Sequence, residues 1–452
     1  MRRSYLVKLF VAALVISLAT FVASLAGWGG RTNATPAPPA PQPLSPIEHV
    51  VVIVQENRST DNLFQDPVLI ARGANIAQAG LNSEGQVITL EPEHLENGYD
   101  LDHSHKAFEQ MYDHGAMDGA NLIAVTCGAG VPDCPNSNPH FRYVYPSDVA
   151  PYFQMAEQYT FADDMFQTNQ GPSFPAHQFI LSGTSAPTAT SLLFAAENPV
   201  GGNGDAGCAA SGDARVLLID PSGKESSSMY PCFEHPTLVD LLDSAGISWL
   251  YYTPTAGTIW TAPDAIYHLR YGKDWAKIIT PATWILTNIA NGKLQDVSWV
   301  VPTDAESDHA MINDGTGPAW VASIVNAIGK SQYWANTAIF ITWDDWGGWY
   351  DHVPPPQYNS YEYGFRVPLI VVSPYANPGY VSHVQHDFGS IIKFIEWNFN
   401  LPSLGYADAR ADDLLDCFNF TQSPIPYKAV PAIKDANFFL NDRRPAGPPD
   451  DD

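Results

Sequence analysis

The order of apolar segments along the chain predicts an α/β fold, a doubly wound, mostly parallel sheet with helices on both faces. Three observations lead there. The strand candidates are short continuous apolar runs rather than alternating ones, as expected where both faces of a sheet are covered. Apolar stripes at helical spacing stand between them, and strand–helix alternation makes parallel neighbours. Polar and acidic residues then collect directly after the runs, where an open parallel sheet gathers its loops.

The elements follow in chain order. Arg2, Arg3 and Lys8 precede an apolar run of 18 residues, Leu9 to Ala26, with the small residues Ala23, Ser24 and Ala26 at its end. This predicts a secretory signal over residues 1–26. The run also reaches the lower limit of a membrane span, so an uncleaved anchor is the alternative. Arg2-Arg3 loosely matches a twin-arginine signal. Residues 27–46 hold six prolines and form an extended spacer. A single domain is expected over 47–440, with a polar tail over 441–452. Within the domain, His49–Val54, Val297–Val301, Ala338–Thr342 and Val367–Val372 read as buried strands. His235-Pro236 starts a helix whose Leu238, Leu241 and Leu242 share a face, with Gly246 placed to cap it. Trp320, Ile324, Val325 and Ile328 form a second stripe, and Phe388 to Phe399 a third.

Composition bounds the function. The 452 residues are 45% hydrophobic and carry 22 Lys+Arg against 48 Asp+Glu, a net charge of −26. A surface this acidic repels phosphate backbones and anionic membranes, which argues against nucleic acid as a partner and against electrostatic lipid docking. No stable protein partner is indicated. A local cluster of cations can still hold an anion in one pocket. The five cysteines allow two short-range disulfides in an exported chain, Cys127–Cys134 and Cys208–Cys232, leaving Cys417 over.

Chemistry collects at the strand ends. The first strand runs into Glu56-Asn57, the second leads to Ser307-Asp308-His309, the third ends in Asp344-Asp345, and the fourth ends at Ser373. Three of these four exits deliver Glu56, Asn57, His309, Asp344 and Asp345 to one rim. Carboxylates at that density repel one another unless a divalent cation with oxygen and imidazole ligands sits between them. Ser173, in Gly171-Pro-Ser-Phe-Pro-Ala-His177, stands at a turn before a helix whose first residue is expected at Pro175, a position that favours an anion. Its hydroxyl becomes a nucleophile once a metal or base withdraws the proton. His103 and His105 add imidazoles in a polar loop. No Gly-x-Ser-x-Gly or Walker loop is present. Each feature has a plainer reading. Glu56-Asn57 would also start a helix, Asp344-Asp345 would also turn before Gly347-Gly348, and Ser173 would also cap. Trp343, Trp346, Trp349 and Tyr350 line a substrate slot or fill the core.

These segments together resemble the bacterial phosphoesterase family of acid phosphatases and phospholipases C. The resemblance rests on Val51-Val-Ile-Val-Gln-Glu-Asn-Arg-Ser-Thr-Asp-Asn-Leu-Phe64, Gly171-Pro-Ser-Phe-Pro-Ala-His-Gln178, Gly246-Ile-Ser-Trp-Leu-Tyr-Tyr252, Ser307-Asp-His309, Trp343-Asp-Asp-Trp-Gly-Gly-Trp-Tyr-Asp-His352 and Arg366-Val-Pro to Ser373-Pro-Tyr-Ala376, in the expected order. It implies an alkaline-phosphatase-like fold and an exported, metal-dependent hydrolase. The substrates implied are phosphate-ester small molecules or phospholipids. An acid phosphatase is expected first, because the accessory C-terminal domains of larger phospholipases have no room here. A phospholipase C-type phosphodiesterase is the alternative, and a catalytically silent metal- or sugar-binding wall protein the third. Residue by residue, the resemblance places Glu56, Asn57, Asp344 and Asp345 at a divalent metal ion and makes Ser173 the nucleophile. His103, with His105 as competitor, and His309 would serve phosphate binding or proton transfer. Two departures stand out. Members often have Asp-Glu at Asp344-Asp345, and His268 is the nearest counterpart to a further site histidine. His352 closes the tryptophan-rich motif.

Overall fold

Strand β1, His49–Gln55, is buried at six consecutive positions, Val50 to Gln55, because it runs through the middle of an eight-stranded sheet. The computed structural model describes residues 42–128, 134–135 and 137–449. The leader 1–26, the spacer as far as residue 41 and the last three residues of the tail lie outside the described residues.

The other strands of this sheet are β2 (Thr160–Ala162), β3 (Trp249–Tyr252), β4 (Ile278–Ile279), β5 (Val297–Val300), β6 (Thr337–Trp343), β7 (Leu369–Val372) and β8 (Tyr380–Ser382). Their order across the sheet is β4-β3-β5-β1-β6-β7-β2-β8. β1 pairs in parallel with β6 over its whole length, from His49 opposite Thr337 to Gln55 opposite Trp343, and in parallel with β5 from Val50 opposite Val297. Continuous apolar runs follow from this placement, since each of these strands has a neighbour on both edges and cover on both faces.

The sheet is mixed, and the exception is specific. β7 runs antiparallel to both β6 and β2. Ser373 therefore leaves the sheet at the edge opposite to the exits of β1, β5 and β6. The expected rim is built from three strands, with the fourth pointing away.

Helix α1 (Ala150–Gln158) was not foreseen in the sequence. The four predicted helices are present with small shifts at their ends, as α2 (Ser173–Ser182), α3 (Leu238–Ala245), α4 (Gly317–Gly329) and α5 (Phe388–Asn398). Thr237 and Asp240 form a capping box at the start of α3, and Gly246 at φ 72° ends it, a left-handed position that glycine occupies without strain. α2 begins at Ser173 rather than Pro175, which is its third residue, and all ten of its residues are buried. Asp387 caps α5 through a second capping box with Ser390. Among the described residues no helix is long and apolar enough to cross a membrane.

The tryptophans of the 343–350 segment are core. Trp343 packs edge-on against Phe64 and Tyr152, and Trp346 against Phe365. Trp349 meets Tyr99 and lies beneath the Arg58 guanidinium. Both expected disulfides form, Cys127–Cys134 and Cys208–Cys232, and Cys417 is a buried free thiol.

Candidate active site

β1, β5 and β6 end side by side, and the residues just beyond them meet the first turn of α2. Asn57 N–H donates to Asp344 Oδ1 at 3.1 Å, so the β1 and β6 exits are tied backbone to side chain. Ser173, the first residue of α2, donates from Oγ to Asp345 Oδ2 at 3.2 Å. Asn57 Nδ2 and His103 Nε2 are 3.0 Å apart, while His103 Nδ1 donates to Leu101 O at 2.8 Å. The His103 and His309 rings lie 5.9 Å apart edge to face, and His309 Nδ1 donates to Ala310 O at 2.7 Å. Those two backbone bonds fix the same tautomer in both imidazoles, with Nε2 as the acceptor nitrogen. All seven expected residues thus belong to one group. Glu56, Asn57, Ser173, His309, Asp344 and Asp345 are fully buried, and His103 nearly so.

Local sequence explains the convergence. Asn57 takes φ 60°, a left-handed turn that asparagine tolerates, which swings the chain off β1 towards β6. Ser59, not Asn57, caps the short helix that follows, accepting from Asn62 N–H. Asp345 Oδ1 accepts from Gly347 N–H at 2.8 Å and turns the chain after β6. Gly347 sits at φ 61°, and a Cβ there would lie 2.3 Å from the Asn57 carbonyl oxygen, so the motif needs glycine for both conformation and clearance.

One residue in this group escaped the sequence reading. His177 is one helical turn beyond Ser173 on α2, and its Nε2 lies 3.3 Å from Glu56 Oε1 and 3.7 Å from Asp344 Oδ2. The signal was available, since residues i and i+4 of a helix share a face. Ligand atoms of Glu56, His177 and Asp344 all fall within 4.8 Å of one another. Burial holds the imidazole below its ordinary value, against the pull of Asp344 and Asp345, which favours the neutral, metal-ligating form.

Other candidates face elsewhere. His105 Nδ1 donates to the Gln170 carbonyl at 2.9 Å, and its ring stacks on Phe108. His268 is bound by Glu234 at 2.7 Å and Asp240 at 3.1 Å, so the expected counterpart to a further site histidine is a half-exposed ion pair instead. His352 Nδ1 lies 2.7 Å from Asp61 Oδ2 within an ion network centred on Arg366. The middle residue of Ser307-Asp308-His309 is a support. Asp308 Oδ2 accepts from Tyr152 Oη at 2.8 Å and Trp343 Nε1 at 2.9 Å.

The electrostatics of the group fit a cation. Burial, then Glu56, push Asp344 up to about 8, and burial, then Asp344, push Asp345 up to about 7. Three buried carboxylates this close are costly as anions unless a positive charge joins them. Asn57 Oδ1 is buried with no hydrogen-bond partner among the described residues, which suits a neutral oxygen ligand. Glu56, Asn57, Asp344, Asp345 and His177 are the residues that would hold a divalent ion, with the Ser173 hydroxyl beside them.

The family described as "Phosphoesterase family" matches residues 47–402. The non-hemolytic phospholipase C of Pseudomonas aeruginosa is 24% identical, over 94% of this chain and 66% of its own length. Phospholipase C B of Mycobacterium tuberculosis is 24% identical, over 85% of this chain and 80% of its own. The non-specific phospholipase C4 of Arabidopsis thaliana is 23% identical, over 75% and 64%. The chain thus spans just under two thirds of the length of its Pseudomonas and Arabidopsis relatives. A solved Vibrio parahaemolyticus protein of the alkaline phosphatase superfamily covers 82% of this chain and 72% of its own at 9% identity, with a TM-score of 0.36.

Proposed function

We propose that this chain, which belongs to the phosphoesterase family, hydrolyses phosphate esters with the Ser173 hydroxyl as nucleophile. The observation that carries the reading is the 3.2 Å hydrogen bond from Ser173 Oγ to Asp345 Oδ2, at a helix start beside Glu56, Asn57 and Asp344. Asp345 orients the hydroxyl and receives its proton as Oγ attacks phosphorus. The bond from phosphorus to the ester oxygen breaks, and the departing alcohol takes up a proton. Water then attacks the phosphoserine, releasing the phosphate product and restoring the hydroxyl. A divalent ion, when bound, supplies positive charge for the serine oxygen and the phosphoryl oxygens. His103 and His309 present Nε2 atoms that bind the phosphoryl group or pass protons, and Asn57 holds His103 in place. Ser173 also opens α2, and the positive end of the helix dipole favours negative charge there, while the Phe174 N–H itself donates to Asn198 Oδ1 at 2.9 Å.

Two substrate classes follow from one chemistry. The named relatives are phospholipases C, which favours a phospholipid headgroup diester. A phosphomonoester is the second reading, since the same attack of the Ser173 hydroxyl on phosphorus serves a monoester. We further read residues 1–26 as an export signal and residues 47–440 as the catalytic domain. Purified protein assayed on p-nitrophenyl phosphate and p-nitrophenyl phosphorylcholine, with and without chelator, separates the readings. Turnover of the second substrate supports the diesterase, and turnover of the first alone supports the phosphatase. Activity on neither, in metal-replete protein, rejects both. Ser173→Ala is expected to lose at least about a hundredfold in turnover while keeping its circular dichroism spectrum. A variant near the parent rate removes Ser173 as nucleophile.

A further inference from the structure

A second cluster of metal-ligating side chains lies at the sheet edge, where β8 leads into α5. His386 immediately precedes the α5 cap Asp387 and is 1% exposed, and Cys417 is fully buried. His386 Nε2 lies 3.6 Å from Asp416 Oδ1, and Cys417 Sγ lies 3.6 Å from the same oxygen. All three ligand atoms are within 4.8 Å of one another. A tetrahedral ion with bonds of about 2.0–2.3 Å to nitrogen, oxygen and sulfur places its ligand atoms about 3.3–3.7 Å apart. The two measured edges match that figure.

The surroundings are those of a ligand set. His386 Nδ1 lies 3.2 Å from Asp412 Oδ1. A carboxylate on the far nitrogen sets the tautomer that leaves Nε2 as the donor to a metal. The loop that carries Asp416 and Cys417 is held by its backbone. Cys417 O accepts from Asn377 N–H at 2.9 Å and Thr160 Oγ1 at 3.1 Å, and Asp416 O accepts from Asn377 Nδ2 at 2.7 Å. The Ser382 hydroxyl stands 3.3 Å from His386 Nε2 and bonds the other Asp416 oxygen, in reach as a fourth partner. The Asp61–Asp351–His352 group differs, because the Arg366 guanidinium already neutralises it.

We propose that His386, Asp416 and Cys417 form a metal site, separate from the candidate active site, for a divalent transition-metal ion. Imidazole, carboxylate and thiolate together select zinc over calcium or magnesium. The bound ion would exchange with the thiol proton, leaving a neutral site with one thiolate and one carboxylate. It would staple the 412–417 loop to β8 and the start of α5.

Cobalt reports this directly. Four of the five cysteines are in disulfides, so any thiolate-to-cobalt charge-transfer band arises from Cys417. Full-length protein that gives one reactive thiol per chain when denatured is stripped with chelator and titrated with cobalt(II). The expected result is a near-ultraviolet charge-transfer band that saturates with added cobalt at an intensity of one thiolate per chain. It persists in Ser173→Ala and vanishes in Cys417→Ser. Parent protein that shows no such band, or a band retained in Cys417→Ser, overturns the proposal. The parent titration decides alone if the Cys417 variant does not fold.

Discussion

Replacing Arg366 with Met should destabilise the protein by about 3–5 kcal/mol at neutral pH, the cost of breaking a buried ion pair by removing one partner. The figure follows from the contacts. Arg366 is fully buried, and all five of its N–H groups are used. Nε and Nη2 grip Asp351 at 2.9 and 3.1 Å, Nη2 reaches Asp61 at 3.2 Å, and Nη1 donates to the Asn75 and Asp163 carbonyls at 2.8 Å each. Arg366→Met leaves two buried carboxylates facing one another. The loss also has a pH signature. Asp351 already lies above its ordinary value through burial, offset by Arg366. A carboxyl whose folded value is raised stabilises the fold only while protonated, and loses that contribution as pH rises. Without Arg366 the rise is larger, so the deficit should grow from pH 5 to pH 8. Urea unfolding followed by tryptophan fluorescence at both values measures it. A loss below about 1 kcal/mol, or one equal at both pH values, refutes the reasoning, which rests on uncompensated buried charge. Activity should fall alongside, because the network ties the segment after Asn57 to the segment after Asp345 through His352 N–H on Asp61.

Other outcomes are expected on the same footing. Gly347→Ala should cost about 1–2 kcal/mol of stability from its left-handed backbone. It should also lower turnover, because its Cβ would meet the Asn57 carbonyl at 2.3 Å; unchanged kinetics would count against Asn57 as a site residue. His177→Ala should weaken retention of a divalent ion by about 10–100-fold, read by competition with a chelator; unaltered retention would assign His177 a packing role only. Glu396 is nearly buried beside Asp408 and is pushed up to about 8, by burial first and Asp408 next. It should therefore be stabilising when protonated and increasingly costly as pH climbs from about 4.5 towards 8. Glu396→Gln keeps the acceptor for Leu404 N–H, so it should match the parent at pH 5 and exceed it by about 1–2 kcal/mol at pH 8. Parallel denaturation curves at the two values would contradict this.

Much of the site was legible because its residues follow long apolar strands, and long buried runs are the strongest signal a sequence offers. Strand direction was not legible. β7 is as apolar as β6, and periodicity carries no polarity, so the antiparallel run that takes Ser373 to the other edge could not be read. The short strands were also not legible, since two or three residues at β2, β4 and β8 are too few to establish a pattern. His103 and His105 could not be separated from two positions of spacing. Ser104 caps the helix that His105 begins, and this turns one ring towards Asn57 and the other towards Gln170. His177 shares a helix face with Ser173, but the contacts that bring it into the group, Glu56 and Asp344, come from distant segments and leave no local mark. His268 fails as a site residue for a reason outside its own segment, the carboxylates of Glu234 and Asp240.

Asn57 and Asp344 are 287 positions apart in the chain yet share a hydrogen bond at adjacent strand ends. Closing a loop of that size in a denatured chain costs about 5 kcal/mol of entropy, before any cooperation from the sheet. An ion that needs donors from both ends will therefore ignore partly made or cleaved chains and hold only the finished topology. Synthesis must pass Asp345, three quarters of the way along, before the donor set can exist at all. On the proposed chemistry, catalytic output would count the molecules whose β1 and β6 ends have come together, and a refolding experiment could be scored by turnover.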